Sequence, residues 1–351
     1  MAEQKEYALL ADIGGTNARL GICALTGPDA PVEPIAAFKV VRCADYPNLG
    51  ALLDAYLSTL PQPLTPSTAQ HACLAIAGPI RTEVRGETGS ITNSGWQVDS
   101  EALAQRFNWR HVRLLNDFGA LAYSVPYLPT TDLVRIHAGQ AAEYGPISVI
   151  GPGTGFGVAL LVPEPQRERR WQVITTEGGH SSFAPTTRRE AQLCDYLGGF
   201  ERHLAVENIV SGAGIATIYN ALTALSGDAS GADADAEHAP VPHEISQRAL
   251  AGDDPLCVET MTLFCEILGS VAGNIALTHG ATGGVYLGGG ILPKIQPLLL
   301  TSRFAERFSR KGMMSAYVER LPVSLIDSPH AALLGAAHWY NNQPLPGVDL
   351  V

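Results

Sequence analysis

The sequence lacks several features that would assign it to a broad class of protein. Its first residues, MAEQKEYALL, have no basic stretch ahead of the apolar one, so we expect no signal peptide. No uninterrupted run of about 18 apolar residues occurs, so we expect no transmembrane helix. The 34 Asp and Glu residues outnumber the 23 Lys and Arg residues, and the net charge of −11 disfavours nucleic acids and anionic membranes as partners. These features together predict a cytoplasmic protein.

The cysteines form no pattern typical of a metal site or a disulfide framework. No two of them make a CxxC pair, and most stand among apolar neighbours. They are Cys23, Cys43, Cys73, Cys194, Cys257 and Cys265. We therefore predict free thiols in a reducing compartment and no bound zinc.

The composition suits a folded chain of roughly two domains. Of the 351 residues, 46% are hydrophobic, which is enough to bury large cores. Strand-like segments alternate with helix-like ones, which indicates an α/β layered structure. The order strand, glycine-rich turn, strand occurs in LLADIGGTNARLGI and again in ISVIGPGTGFGVALLV (147–162). This repetition indicates a weak duplication of two α/β halves flanking a cleft.

Local patterns predict where the main strands and helices lie. The predicted strands are 7–13, 19–23, 72–80, 111–115, two within 147–162, and 283–289. The predicted helices are one capped by Asp99 or Ser100 that runs through Phe107, one that follows Asp117 and stops at Pro126, one from Pro255 to Gly280, and one at 330–340. Residues 226–244 are small, acidic and proline-containing, so we expect a surface loop there.

The glycine-rich turns fit neither of two familiar nucleotide-binding motifs. No glycine is followed by Lys-Ser or Lys-Thr, as a P-loop requires, and GPGTGFG (151–157) lacks the GxGxxG spacing and leads into a strand. In a strand–turn–strand unit, glycine lets backbone N–H groups converge on an anion, and Thr16 and Thr154 add hydroxyl donors. Two such turns are suited to the phosphates of one nucleotide; the alternative is two ordinary tight hairpins.

Six segments resemble, in chain order, the motifs of the bacterial glucokinases of the hexokinase superfamily. They are LADIGGTNARLGI, LLNDFGALAYSVP, IGPGTGFGVALL, TEGGHSSFAP, ENIVSGAGIATIY and GGVYLGGGILPK. The resemblance covers nearly the whole chain and implies the actin-like (RNase H-like) ATPase fold. We expect a small α/β domain at 1–127 plus 330–351 and a large one at 128–329. The zinc-binding cysteine cluster of many related repressors and kinases is absent, so the chain resembles the non-zinc branch.

The resemblance implies ATP-dependent phosphorylation of glucose at its 6-hydroxyl, with Mg²⁺ as cofactor. Asp12 would hold Mg²⁺ through water, and Asp117 would be the catalytic base and bind the sugar. The other implied sugar ligands are Asn93, Asn116, Glu177, His180 and Glu207. The implied nucleotide contacts are Ala11, Asp12, Ile13, Gly14, Gly15, Thr16 and Asn17 in the first phosphate loop, Gly153, Thr154, Gly155 and Gly157 in the second, and Gly288, Gly289 and Gly290 in the adenosine motif.

The residue types alone leave an alternative for each catalytic candidate. A carboxylate just past the strand 111–115 can accept a hydroxyl proton, but Asp117 would serve equally as the N-cap of the following helix. Carboxylates suit a sugar pocket because each can accept from two vicinal hydroxyls. The alternative for Glu177 and Glu207 is a solvated carboxylate, and for His180 a structural histidine.

Several other functions remain open from the sequence. A related kinase would use another hexose, or ADP or polyphosphate in place of ATP. A catalytically inactive sugar-sensing regulator is disfavoured because no helix-turn-helix precedes the first strand and Asp117 is present. An actin-like filament protein is disfavoured by the TEGGH and LNDF motifs. The resemblance also implies a homodimer whose small-molecule partners are glucose and ATP.

Overall fold

The computed structural model describes residues 5–27, 32–92, 94–164, 171–226 and 240–342. Of the surface loop expected at 226–244, residues 227–239 lie outside this described part. The chain divides into two compact units. Unit 1 comprises 1–129 and 328–351, and unit 2 comprises 130–327. Unit 1 is therefore formed from both ends of the chain, and unit 2 from its middle.

Both units alternate strands with helices, which confirms the predicted α/β class. Unit 1 contains β1 (Tyr7–Ile13), β2 (Asn17–Ala24), β3 (Ala36–Arg42), α1 (Leu49–Ser58), β4 (His71–Ile76), β5 (Ile80–Glu83), β6 (Gly86–Ser90), β7 (Gln97–Asp99), α2 (Ser100–Phe107), β8 (His111–Asn116), α3 (Asp117–Ser124) and, at its far end, α11 (Ala331–Asn342). Unit 2 contains β9 (Leu133–His137), β10 (Ile147–Pro152), β11 (Phe156–Pro163), β12 (Trp171–Thr176), α4 (Arg188–Tyr196), α5 (Gly212–Leu225), α6 (Pro242–Ala251), α7 (Pro255–His279), β13 (Gly284–Leu287), α8 (Gln296–Thr301), α9 (Phe304–Ser309), α10 (Ser315–Val318) and β14 (Val323–Ile326).

The main sheet of unit 1 has the strand order β3-β2-β1-β4-β8. The hairpin pairs β1–β2 and β2–β3 are antiparallel, whereas β1, β4 and β8 run parallel. Alternate residues of β1 face opposite cores because side chains alternate along a strand. Leu9 and Ala11 join the core that includes residues of α1 and α2, and Ala8 and Leu10 join the core that includes α3 and α11. Burial on both faces explains why β1 reads as a continuous apolar run.

The C-terminal helix α11 completes unit 1 by packing on α3. The two helices approach so closely at Gly335 that a Cβ there would lie 1.8 Å from the carbonyl oxygen of Ala120. Leu333 and Ala336 on the same helix are fully buried. The helix predicted at 330–340 is therefore confirmed, and it packs on the core of unit 1.

The sheet of unit 2 repeats the arrangement of unit 1 and adds one strand. Its order is β12-β11-β10-β13-β14-β9. The pairs β10–β11 and β11–β12 are antiparallel, β10, β13 and β14 are parallel, and β9 adds an antiparallel edge. The same five-strand order therefore occurs in both units, which confirms the predicted duplication.

The longest helix, α7, forms the centre of the core of unit 2. Asp254 caps it by accepting from the N–H groups of Leu256 (2.9 Å) and Cys257 (3.1 Å), and Gly280 ends it in the left-handed conformation. By length and composition alone α7 passes the test for a membrane span, but 78% of its most apolar window is buried within the protein. We therefore interpret α7 as a core helix.

The structure confirms most predicted elements and corrects two details. Asp99 rather than Ser100 caps α2, by accepting from two backbone N–H groups. The strand predicted at 72–80 ends at Ile76, because the chain turns sharply at Gly78, where a Cβ would lie 2.0 Å from the carbonyl oxygen of Ser90. The small sheet β5-β6-β7 was not expected. All six cysteines are buried free thiols, as predicted.

Candidate active site

The turn between β1 and β2 is a tight hairpin turn. The Gly14 N–H donates to the carbonyl of Asn17 (3.0 Å), and the Cys43 N–H donates to the carbonyl of Thr16 (2.9 Å). Thr16 and Asn17 are exposed, and a Cβ at Gly14 would come no closer than 3.5 Å to another atom. The predicted strand–turn–strand unit is confirmed, and it leaves an open backbone surface of the kind that can receive an anion.

Asp12 lies near the end of β1, directly opposite Arg19 of β2. Its side chain is buried, and its Oδ2 accepts a hydrogen bond from Arg19 Nη1 at 2.9 Å. Burial raises the pKa of Asp12, while the Arg19 guanidinium acts in the opposite direction. Sequence reasoning missed Arg19, although the register of a hairpin centred on the GGTN turn pairs it with Asp12.

Asn116 and Asp117 are brought to the same edge of unit 1 as Asp12. Ile76 of β4 pairs with Ile13 on one side and with Asn116 on the other, so the carboxyl ends of three parallel strands align. Ligand sites of open α/β sheets form outside the carboxyl ends of parallel strands. The structure therefore assembles three of the predicted functional residues within unit 1.

The N-cap of α3 is Asn116, so the alternative interpretation of Asp117 as the cap is wrong. The Asn116 side-chain oxygen accepts from the Gly119 N–H at 3.1 Å, and its amide nitrogen lies 3.5 Å from the Gly78 carbonyl. Asp117 is the first residue of the helix, and its Oδ1 accepts from the Phe118 N–H at 2.9 Å. The cap is thus supplied by the neighbour, and Asp117 is not needed for it.

The half-buried Asp117 carboxyl has a pKa well above the ordinary value for an aspartate. Burial, and secondarily the negative charge of Asp12, raise its pKa to about 7, although the Phe118 N–H favours the ionised form. A carboxyl with a pKa near neutrality is suited to accept and release a proton at physiological pH.

The carboxylates of unit 1 suit a magnesium ion that is bound mainly through water and substrate phosphates. The described residues contain no group of three or more His, Cys, Asp or Glu that could hold a metal ion by themselves. Mg²⁺ is usually held by one or two carboxylates, several waters and the phosphates of a substrate. The buried Asp12, at the same edge of the sheet as Asp117, matches such a site.

The second glycine turn lies between β10 and β11 of unit 2. It is closed by the Gly153 N–H, which donates to the Gly155 carbonyl at 2.9 Å, and the Gly212 N–H at the start of α5 donates to the Gly153 carbonyl at 2.9 Å. Thr154 at its tip is exposed. The turn therefore repeats the form of the first one and is joined to a helix N-terminus, a favourable location for negative charge.

The segment Gly288–Gly290 follows β13 and packs against the strand that leads into this turn. The Gly288 N–H donates to the Ile150 carbonyl at 2.8 Å. Gly289 has a φ of +89°, and a Cβ there would lie 2.4 Å from the Pro152 carbonyl oxygen. Gly290 is exposed, with open space where a Cβ would stand. Glycine at 289 is therefore required by the close approach of two backbones.

Glu177, His180 and Glu207 form one cluster in unit 2. His180 Nδ1 lies 3.6 Å from Glu207 Oε1, and His180 Nε2 lies 3.9 Å from Glu177 Oε2. Glu207 Oε2 also accepts from the Phe156 N–H (3.2 Å), and a Cβ at Gly155 would meet this oxygen at 2.6 Å. The structure thus brings together three predicted sugar ligands beside the second glycine turn.

A cavity of about 550 Å³ adjoins this cluster, and its lining includes Thr154, His203, Glu207 and Ser211. Sequence reasoning singled out neither His203 nor Ser211. The Ser211 side chain caps α5 by accepting from the Gly214 N–H at 3.0 Å, a role that the motif SGAG before an apolar run indicates. The predicted sugar ligand Asn93 lies outside the described residues.

Comparison with known proteins identifies close relatives of the chain. A family model described as Glucokinase matches residues 9–343. The chain is 38% identical to a glucokinase of Saccharophagus degradans over 331 residues, which are 94% of this chain and 97% of the relative.

Solved structures share the fold of this chain. The structure of a glucokinase from an Antarctic psychrotroph matches 96% of this chain and 99% of its own, with a TM-score of 0.79 and 40% identity. A ROK family glucokinase from Streptomyces griseus, in complex with glucose and AMPPNP, matches 95% of this chain and 98% of its own with a TM-score of 0.60. At 20% identity that second likeness concerns the fold alone. The expected actin-like ATPase fold is confirmed.

Proposed function

The chain belongs to the glucokinase family, and on that basis we propose that it transfers the γ-phosphoryl group of ATP to the 6-hydroxyl of glucose. The products are glucose 6-phosphate and ADP. The observation that carries the assignment of residues is the pair of acidic side chains at the carboxyl edge of the unit 1 sheet, Asp12 and Asp117. One is fixed by an arginine, and the other has a pKa of about 7.

The two glycine turns bind the nucleotide in this proposal. Phosphoryl transfer needs donors around the phosphate oxygens, and backbone N–H groups and the hydroxyls of Thr16 and Thr154 supply them. The exposed Gly290 leaves room for the adenosine. Asp12 would hold Mg²⁺ through water, and the ion would neutralise charge on the phosphates when bound.

Asp117 acts as the general base. Its ionised carboxylate accepts the proton of the glucose 6-hydroxyl as that oxygen attacks phosphorus, and the protonated form is accessible because its pKa lies near neutrality. Asn116 uses its side-chain oxygen to cap α3, and its amide nitrogen lies 3.5 Å from the Gly78 carbonyl, so the second N–H of that amide is the part suited to a sugar hydroxyl. Orientation of the hydroxyl and acceptance of its proton are thus assigned to adjacent residues.

Glu177, His180 and Glu207 select the sugar. Each carboxylate can accept from two neighbouring hydroxyls, and the imidazole between them can bond another. A sugar lacking one of these hydroxyls leaves a polar group unpaired, which is a strong basis for rejection. Asn93, implied by the resemblance, is a further candidate ligand.

A kinase for another hexose is the second candidate function, because residues that hydrogen-bond sugar hydroxyls do not by themselves establish which hexose is bound. The test is a coupled assay in which ATP is supplied with glucose, mannose, fructose and N-acetylglucosamine in turn, and glucose is supplied with ATP, ADP and polyphosphate in turn. Glucose with ATP is expected to give the highest kcat/KM. Turnover only with another sugar or donor would replace the assignment, and no turnover with any would favour a sugar-sensing regulator.

A cytoplasmic location, a place in glycolysis and a homodimer complete the proposal. The dimer follows only from the family resemblance. Light scattering coupled to gel filtration tests it, because a homodimer would have twice the 37.1 kDa mass of the chain.

A further inference from the structure

A short stretch of unit 2 lies alongside the segment that follows His180. Residues 203–206, which we call the strap, run antiparallel to residues 180–183. Two backbone hydrogen bonds join them, from the Phe183 N–H to the Leu204 carbonyl (2.8 Å) and from the Val206 N–H to the Ser181 carbonyl (2.9 Å). The strap leads directly into Glu207, so its placement sets where Glu207 stands relative to His180.

The His203 ring adds a third connection at the end of the strap. Its Nε2 lies 2.9 Å from the backbone carbonyl oxygen of His180, and its Nδ1 lies 3.5 Å from the hydroxyl of Ser182. A carbonyl can only accept, so Nε2 carries the proton. The remaining ring nitrogen, Nδ1, then faces a hydroxyl that can donate to it.

Both ends of the strap are fixed by neighbouring residues. Before it, Arg202 donates to the Leu197 carbonyl through Nε (3.1 Å) and Nη2 (2.9 Å), which joins it to the end of α4. After it, the Asn208 side-chain oxygen accepts from the Ala205 N–H at 2.8 Å. The strap is therefore a supported element against which the 180–183 segment is held.

Glu177 and His180 depend on this support because their own side chains have few contacts. The side chain of Glu177 is 83% exposed and that of His180 is 59% exposed, and their mutual contact is a loose 3.9 Å. Exposed side chains on a short turn are located mainly by their backbone. The His203 bond acts on that backbone at His180 itself.

We propose that His203 is a positioning residue that fixes His180 and Glu207 at the spacing required for glucose. This inference rests on the proposed function. His203 acts through the His180 carbonyl and needs no contact with the sugar. Its loss should therefore weaken glucose binding without affecting the nucleotide.

The test compares three variants by steady-state kinetics. His203→Ala removes the donor, and His203→Gln keeps a side-chain N–H. His137→Ala is the matched control, since His137 Nε2 also lies 2.9 Å from a backbone carbonyl, that of Glu319, but in β9 at the opposite edge of the sheet from β12. The loss of one hydrogen bond of ordinary strength corresponds to a change of up to about tenfold in a binding constant.

We expect His203→Ala to raise KM for glucose by about five- to tenfold, with KM for ATP changed less than about twofold. His203→Gln should recover most of the loss, and His137→Ala should behave as the wild type. A wild-type KM for glucose in His203→Ala, or an equal increase in both KM values, would overturn the inference. So would the same effect in His137→Ala.

A second measurement keeps the inference separate from the proposed function. Amide hydrogen exchange of the peptide covering 177–183 is followed without any sugar. His203→Ala should exchange faster there than the wild type and His137→Ala. If the wild type proves inactive on glucose, the proposed function fails, and unchanged exchange in His203→Ala then overturns the positioning role as well.

Discussion

The Asp117 carboxyl should determine how the reaction depends on pH. Only the ionised form accepts the hydroxyl proton, and its pKa is about 7 because of burial and the charge of Asp12. We expect kcat/KM for glucose to fall about tenfold per pH unit below about pH 7 and to level off above it. The profile is measured from about pH 5 to about pH 9. A plateau that continues down to about pH 5 would show that another group is the base.

The same pKa predicts that Asp117 destabilises the folded protein at alkaline pH. Folding raises this pKa from its ordinary 3.8 to about 7, so the ionised form is favoured in the unfolded chain. The stability that the Asp117 carboxyl contributes is therefore fully present below about pH 4 and is lost as the pH rises to about 7. Asp117→Asn should be more stable than the wild type by about 1–3 kcal/mol at pH 8 and about equal at pH 4, by denaturant unfolding.

The exposed Asp253 provides the control for that comparison. Asp253→Asn should leave the free energy of unfolding unchanged at both pH values, because its carboxylate is exposed. Equal stability of Asp117→Asn and the wild type at pH 8 would mean that the Asp117 carboxylate is better solvated than its surroundings indicate.

The turn between β10 and β11 connects the proposed phosphate and sugar sites through one glycine. A Cβ at Gly155 would lie 2.6 Å from Glu207 Oε2, so Gly155→Ala must displace that carboxylate. We expect KM for glucose to rise by about tenfold, more than KM for ATP. A rise confined to KM for ATP would show that Gly155 serves the phosphates alone.

At the contact between α3 and α11, two effects of Gly335→Ala on stability oppose each other. Helix propensity alone predicts that Gly335→Ala stabilises α11 by about 1 kcal/mol. The Ala120 carbonyl oxygen, 1.8 Å from the new Cβ, predicts the reverse. We expect destabilisation by about 1–3 kcal/mol in thermal or denaturant unfolding, because backbone cannot move aside cheaply. A more stable variant would contradict the close packing of these helices.

The elements that could be predicted are those with strong local patterns. The helix α7 has a capping Asp254, a proline at its first position and Gly280 at its end, and each acts through its immediate neighbours. The sheet β5-β6-β7 could not be predicted, because Gly86–Ser90 is half-buried throughout and has no alternation of apolar and polar residues. The end of β4 was misplaced because the contact at Gly78 is with a distant residue, Ser90.

Across the whole molecule, candidate residues that are far apart in the sequence lie together in two clusters, one at the carboxyl edge of the unit 1 sheet and one beside the turn between β10 and β11. What could not be predicted are pairs joined only by the fold. Arg307 is buried with Glu190 at 2.5 Å and Glu266 at 3.1 Å, whereas charged residues are ordinarily expected at the surface. The role of His203 likewise cannot be predicted from neighbouring residues in the sequence, since its partner is the backbone of His180.

The central claim is that this chain phosphorylates glucose from ATP with Asp117 as the base. It is tested most directly by the initial rate of glucose 6-phosphate formation from ATP and glucose, for the wild type and Asp117→Asn at about pH 8. We predict turnover by the wild type and a kcat about 10²–10⁴-fold lower in the variant, which remains folded. Wild-type turnover by Asp117→Asn, or no glucose 6-phosphate from the wild type, would contradict the claim.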